Sequence, residues 1–162
     1  MSDRLKTVMI CDDEQDILLT FASILEMDYS VVTTSSGNQC LKTFTQRKQD
    51  GQTIHLLLVD FKLGDMTGDE LAREIKVLNG TKIILISAYE IDEKVIRQLK
   101  NDNVIVEFLK KPVNIPMLRE TISRVIQSDG ESLCSSCRNP FKSYQYEGKK
   151  SNICRLCRLT SV

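Results

Sequence analysis

Five apolar runs, each followed by a stretch of helical period, constrain this chain more than any other feature. KTVMIC (6–11) leads into DEQDILLTFASILEM, where Ile17, Phe21, Ile24 and Leu25 recur at helical spacing. YSVVTTS leads into GNQCLKTFTQ, with Cys40, Leu41 and Phe44 on one face. IHLLLVD precedes GDELAREIKVL, KIILIS precedes IDEKVIRQLKN, and VIVEFL precedes NIPMLRETISRVI. A strand that is apolar at every position, rather than at every second one, is covered on both faces. Strands of that kind separated by helices imply a parallel sheet with right-handed crossovers. The expected fold is α/β, a five-stranded parallel sheet doubly wound by five helices. With 41% hydrophobic residues in 162, the chain can fill such a core and still carry one small appendage.

Sheets of this kind bind ligands outside the carboxyl ends of their strands. At that edge strand one runs into Cys11, Asp12, Asp13 and Glu14, and strand three ends at Asp60. Strand four ends at Ser87, and strand five runs into Lys110, Lys111 and Pro112. Asp60 alone has a plain reading, since aspartate favours turns by accepting from nearby backbone amides. Three carboxylates at one edge are a different matter, because their repulsion calls for a cation or for raised pKa values. Magnesium meets that need with one or two carboxylates, phosphate oxygens and water. Lys111 adds a point charge for an anion, and Ser87 adds a hydroxyl donor. The set suits a phosphoryl group carried on Asp60.

DDE after strand one, VDFKLGDMTG after strand three, SAY after strand four and FLKKP after strand five are similar to the receiver domains of bacterial and archaeal response regulators. The resemblance covers about residues 5–128 and implies a flavodoxin-like receiver domain, drawn here as 1–128. It makes Asp60 both the phosphoacceptor and a Mg2+ ligand, and has Asp12 and Asp13 hold the metal directly or through water. The backbone carbonyl of Lys62 becomes a further metal ligand, and Lys111 becomes the phosphate partner. Ser87 takes the hydroxyl switch position and Phe108 the aromatic one. The implied phosphodonor is a sensor histidine kinase or a phosphotransfer protein. Gly64 stands where the family usually has proline, Val104 and Ile105 where glycine and alanine are common, and Phe108 where tyrosine is frequent. Lys62, beside the metal and the in-line path of water, either alters the lifetime of the acyl phosphate or is an ordinary exposed loop lysine. Cys11 and Cys40 read as small apolar core residues, and His55, the only histidine, as structural.

The chain changes character near SDGES (128–132). From residue 131 six basic residues, Arg138, Lys142, Lys149, Lys150, Arg155 and Arg158, face two acids, Glu131 and Glu147, a net +4. The first 130 residues then carry −4, because the whole chain balances 22 basic against 22 acidic residues. Residues 129–133 read as a linker and 134–162 as a second, small domain. Its cysteines form C-x2-C, sixteen residues, C-x2-C, through Cys134, Cys137, Cys154 and Cys157. That spacing is a tetrahedral Zn2+ signature, and a tail this short needs the metal for its folding free energy. Disulfides are disfavoured in a reducing compartment, and a redox C-x-x-C belongs to a larger strand–helix unit. The tail resembles a zinc ribbon, with a hairpin around Phe141, Tyr144 and Tyr146 and Gly148 near the turn. Arg138 and Arg158 follow the cysteine pairs where glycine is usual. Its charge and aromatics suit contact with nucleic acid or with a protein.

The reading that results is a two-component response regulator, a signalling switch rather than a metabolic enzyme, with a zinc-binding tail that serves its output. One alternative is a DNA-binding transcriptional regulator whose tail is the output domain. Another is a receiver scaffold that keeps the fold and works without phosphate. No apolar run reaches the roughly 18 residues of a membrane span, and the N-terminus lacks a signal-peptide layout, so no membrane insertion and a cytoplasmic location are expected.

Overall fold

The apolar runs become strands β1 (Thr7–Cys11), β2 (Ser30–Thr34), β3 (Leu56–Asp60), β4 (Lys82–Ser87) and β5 (Glu107–Lys110) of one parallel sheet in the order β2-β1-β3-β4-β5. A computed structural model describes residues 5–79 and 81–127, and the backbone of 131–133, 140–142, 145–146 and 149–150. Helices α1 (Gln15–Leu25), α2 (Gly37–Gln49), α3 (Gly68–Asn79), α4 (Glu93–Asn101) and α5 (Ile115–Gln127) alternate with the strands. This is the flavodoxin-like arrangement of five parallel strands and five helices. The chain divides into two compact units, Met1–Arg119 and Glu120–Val162.

In the first unit, Met9, Cys11, Leu57, Val59, Ile83 and Leu85 project to one face of the sheet. They form a single core there with Cys40 and Phe44 of α2, Leu71, Ala72 and Ile75 of α3, and Leu99 of α4. The alternate residues, Val8, Ile10, Leu56, Leu58, Ile84 and Ile86, are equally buried on the other face, as are Leu18, Phe21 and Leu25 of α1. The continuous apolar runs are thus explained by two covered faces. The α1 stripe centres on Leu18 instead of Ile17, because the helix starts at Gln15 and its buried positions then follow 18, 21 and 25.

β5 begins later than its apolar run. Asn103 takes φ of 55°, and the amides of Val104 and Ile105 donate to the Leu99 carbonyl, at 2.9 and 3.3 Å. Those amides close the end of α4 in a left-handed turn and so are lost to the ladder, which resumes with Val106 donating to Ile83 at 2.8 Å. Val104 and Ile105 are buried in the core, so their bulk is absorbed by packing.

In the second unit the rest of α5 buries Thr121, Ile122, Val125 and Ile126. Glu131–Leu133, within the segment expected as linker, is strand β6 and pairs antiparallel with β7 (Pro140–Lys142). β8 (Gln145–Tyr146) and β9 (Lys149–Lys150) form a second antiparallel pair. Cys134, Cys137, Cys154 and Cys157, with Tyr144 and Gly148, lie outside the described residues. Among the described residues no helix is long and apolar enough to cross a membrane.

Candidate functional site at the carboxyl edge of the sheet

Strand register assembles the site. Cys11 pairs with Val59, so Asp12, the next residue, emerges beside Asp60 at the point where strand order reverses about β1. Asp60 pairs with Ile86 and Ser87 with Lys110, which brings Ser87 and Lys111 to the same edge. The amide of Lys111 donates to the Ser87 carbonyl at 2.7 Å, anchoring the chain as it leaves β5.

The Lys111 ammonium bridges the two carboxylates, with Nζ 2.7 Å from Asp60 Oδ1 and 2.8 Å from Asp12 Oδ2. Glu14 Oε1 stands farther off, at 3.4 Å. Each aspartate uses its second oxygen locally: Asp12 Oδ1 accepts from the Glu14 amide and Asp60 Oδ2 from the Lys62 amide, at 2.9 and 2.8 Å. Asp12 and Asp60 are buried and Asp13 is exposed. Burial raises the Asp60 pKa, and the Lys111 and Lys62 contacts oppose that rise without cancelling it. Burial alone would lower Lys111, but the bonds and charges of Asp12 and Asp60 outweigh it and raise its pKa.

The loop after Asp60 is shaped by close contact. A Cβ on Gly68 would lie 2.4 Å from the Asp60 carbonyl oxygen and 2.9 Å from Phe61 Cα, so only glycine allows the Gly68 amide to donate to Phe61 O at 2.7 Å. A Cβ on Gly64 would meet nothing within 4 Å, so a glycine where proline is usual relieves no crowding. Thr67 and Glu70 start α3 as a capping pair, the Thr67 amide donating to Glu70 Oε2 at 2.9 Å. Asp65 reaches across to α2 and accepts from the amides of Gly37 (2.9 Å) and Asn38 (2.8 Å). Those bonds lower its pKa.

Ser87 Oγ accepts from the Tyr89 amide at 2.9 Å and donates to the Tyr89 carbonyl at 3.1 Å, so its hydroxyl is held by its own loop. Phe108 pairs with Leu85 and packs, partly buried, on the core of that face. Lys62 extends over the Tyr89 ring, with Nζ 5.1 Å from its centroid and 3.3 Å from its hydroxyl. Asp65 and Tyr89 are the residues that pattern reasoning passed over. Tyr89 had a local signal, a serine two residues earlier in a turn. Asp65 had none, because its partners are 27 and 28 residues away.

Cys11 and Cys40 are buried free thiols of the core, as expected. His55 is structural in the sense that its Nδ1 accepts from the Thr7 amide at 2.9 Å. Among the described residues no three His, Cys, Asp or Glu side chains already converge on one point, since Lys111 stands between Asp12 and Asp60. The donor chemistry fits Mg2+ even so: hard oxygens, one or two carboxylates, and an exposed Asp13 beside them where water can complete the shell.

The family model of the response regulator receiver domain matches residues 8–123. Regulatory protein VanRB of Enterococcus faecalis is 27% identical over 124 residues, which are 76% of this chain and 53% of that protein. The chain thus spans about half the length of that curated relative. The solved CheY-like receiver domain protein of Methanospirillum hungatei JF-1 is 29% identical, with a TM-score of 0.67 over 76% of this chain and 94% of that one. Response regulator protein TrrA of Thermotoga maritima, solved in complex with Mg2+-BeF, is 26% identical, with a TM-score of 0.62 over 75% of this chain and 99% of that one. A match over most of the sheet and helices, on a chain whose Asp60 and Lys111 meet at the carboxyl edge, identifies this chain as a member of the response regulator receiver domain family.

Proposed function

We infer that Asp60 accepts a phosphoryl group from a histidine kinase or phosphotransfer protein and that the modified receiver signals through a changed surface. One observation carries this reading: a single half-buried ammonium shared by Asp60 and Asp12 at 2.7 and 2.8 Å. An Asp60 oxygen attacks the phosphorus of a phosphohistidine, the P–N bond breaks, and the imidazole leaves with the electron pair. Lys111 then follows the negative charge from the carboxylate to the phosphoryl oxygens. Asp12, Asp13 and the Lys62 carbonyl would hold Mg2+, which when bound neutralises charge on the carboxylates and the phosphoryl group. Ser87 exchanges its Tyr89 partners for a phosphoryl oxygen, and Phe108, on the same face of the sheet, moves in behind it as a two-state shift. Lys62, tethered to Tyr89 beside Asp60, tunes the lifetime of the acyl phosphate.

The receiver is assigned to 1–128, and 134–162 to a four-cysteine zinc tail that contacts a protein or nucleic acid. The β6–β7 pairing supports the tail reading, since the connection between those strands, 134–139, carries the first C-x2-C. Incubation with a phosphoramidate donor tests the site. Intact mass should rise by one phosphoryl group only with Mg2+ present, and not at all in Asp60→Asn. Normal labelling of that variant would refute the assignment.

A further inference from the structure

The opposite end of the sheet holds a second concave site. A cavity of about 470 Å3 opens where β1 and β3 begin and α2 ends, and Lys6, Thr7, Arg47, Gln52, Thr53 and His55 line it. Its volume falls within the range of small-molecule sites. The wall is built by local structure. Gly51, at φ of 70°, closes α2 in a turn where the Gln52 amide donates to Arg47 O at 2.8 Å and the Gly51 amide to Lys48 O at 3.1 Å. The turn sets Gln52 Oε1 2.9 Å from Arg47 Nη1, which orients the guanidinium while its other N–H groups remain available to the oxygens of a phosphoryl group. Across the cavity the Thr7 amide donates to His55 Nδ1 at 2.9 Å, so the neutral ring carries its proton on Nε2.

The described lining residues therefore offer a guanidinium, an ammonium, two hydroxyls, an amide and an imidazole, and no carboxylate. Among the described lining residues a cation finds no carboxylate to pair with. A neutral occupant would cover the Arg47 guanidinium without answering its charge. Leu5 also lines the cavity and is 59% exposed, an apolar contact for the body of a ligand. We propose that this cavity binds a small organic phosphate monoester, its phosphoryl group on Arg47 and Thr53 and its apolar body against Leu5. The site is distinct from the Asp60 edge, so its occupant is a ligand and not the phosphodonor.

Amide NMR of the full chain, without Mg2+, tests this with phenyl phosphate, inorganic phosphate and phenol as probes. Phenyl phosphate should give saturable shifts at Thr7, Gln52, Thr53 and His55 and leave Asp60, Lys62 and Lys111 unmoved. Inorganic phosphate should shift the same residues more weakly, and phenol should not shift them. Arg47→Ala should weaken phenyl phosphate about tenfold, the loss of one charge-assisted contact. Thr53→Glu, which puts a carboxylate on an exposed wall position, should abolish binding while leaving phosphorylation of Asp60 intact. Shifts that never saturate, shifts confined to the Asp60 edge, phenol binding as well as phenyl phosphate, or undiminished binding by Arg47→Ala would each overturn the proposal.

Discussion

Asp60 sits where its charge is useful and uncomfortable. Its folded pKa is raised by burial, so the stability linked to it is full below the unfolded pKa of about 3.9 and is lost as pH rises through the folded value. At neutral pH the ionised form is therefore a net cost that Lys111 offsets only in part. Asp60→Asn should raise the thermal midpoint at pH 7, and the gain should vanish as pH falls below about 4, where the wild-type carboxyl is protonated too. Melts across that range check it, and a lower midpoint at pH 7 would contradict it. Lys111→Met should do the opposite, because it leaves two buried carboxylates without their shared cation. We expect a loss of roughly 3 kcal/mol by denaturant unfolding at pH 7.

Between elements, the β3–α3 loop matters more than its length suggests. It is closed by Gly68 against β3 and tied to α2 through Asp65. Asp65→Ala removes two acceptors from the start of α2 and should cost about 1 kcal/mol at pH 7. The Asp65 pKa is depressed in the folded state, so this contribution is present above the unfolded pKa of about 3.9 and disappears as pH falls through the lower folded value. The difference between wild type and variant should accordingly close in acid. Gly68→Ala meets backbone rather than a yielding side chain, and should cost about 1–3 kcal/mol and slow phosphorylation of Asp60 by displacing its strand end. A fully active, fully stable Gly68→Ala protein would show that the loop has slack the structure does not.

For the whole molecule, the receiver and the proposed tail should draw stability from different sources. The sheet rests on two buried faces, and the tail, as proposed, rests on metal ligation. A chelator strong enough to strip Zn2+ should therefore leave Mg2+-dependent labelling of Asp60 unchanged and abolish binding of the partner that the tail recognises. If that partner is DNA or RNA, affinity should fall steeply with salt, and a salt-insensitive complex would indicate protein recognition. Elemental assay of protein purified under reducing conditions should find one zinc per chain. Finding none, with four free tail thiols, would end the zinc reading without touching the receiver.

Much of this was already determined by the sequence alone. Alternating strand and helix periods dictate a doubly wound parallel sheet, and a parallel sheet sends every strand's carboxyl end to one edge, so Asp12, Asp60, Ser87 and Lys111 had to gather there. Hydrophobic period is a local property, written in neighbouring residues, and local properties survive in one dimension. Tertiary structure alone decided which groups touch. Lys111 reaches Asp12 across 99 positions of sequence, Asp65 holds α2 from another loop, and Arg47 and His55 face one cavity from a helix end and a strand start. The late start of β5 belongs with these, because two amides had to choose between the ladder and the end of α4. Such choices depend on distances of a few ångströms between segments far apart in the chain, and no spacing along the chain encodes them.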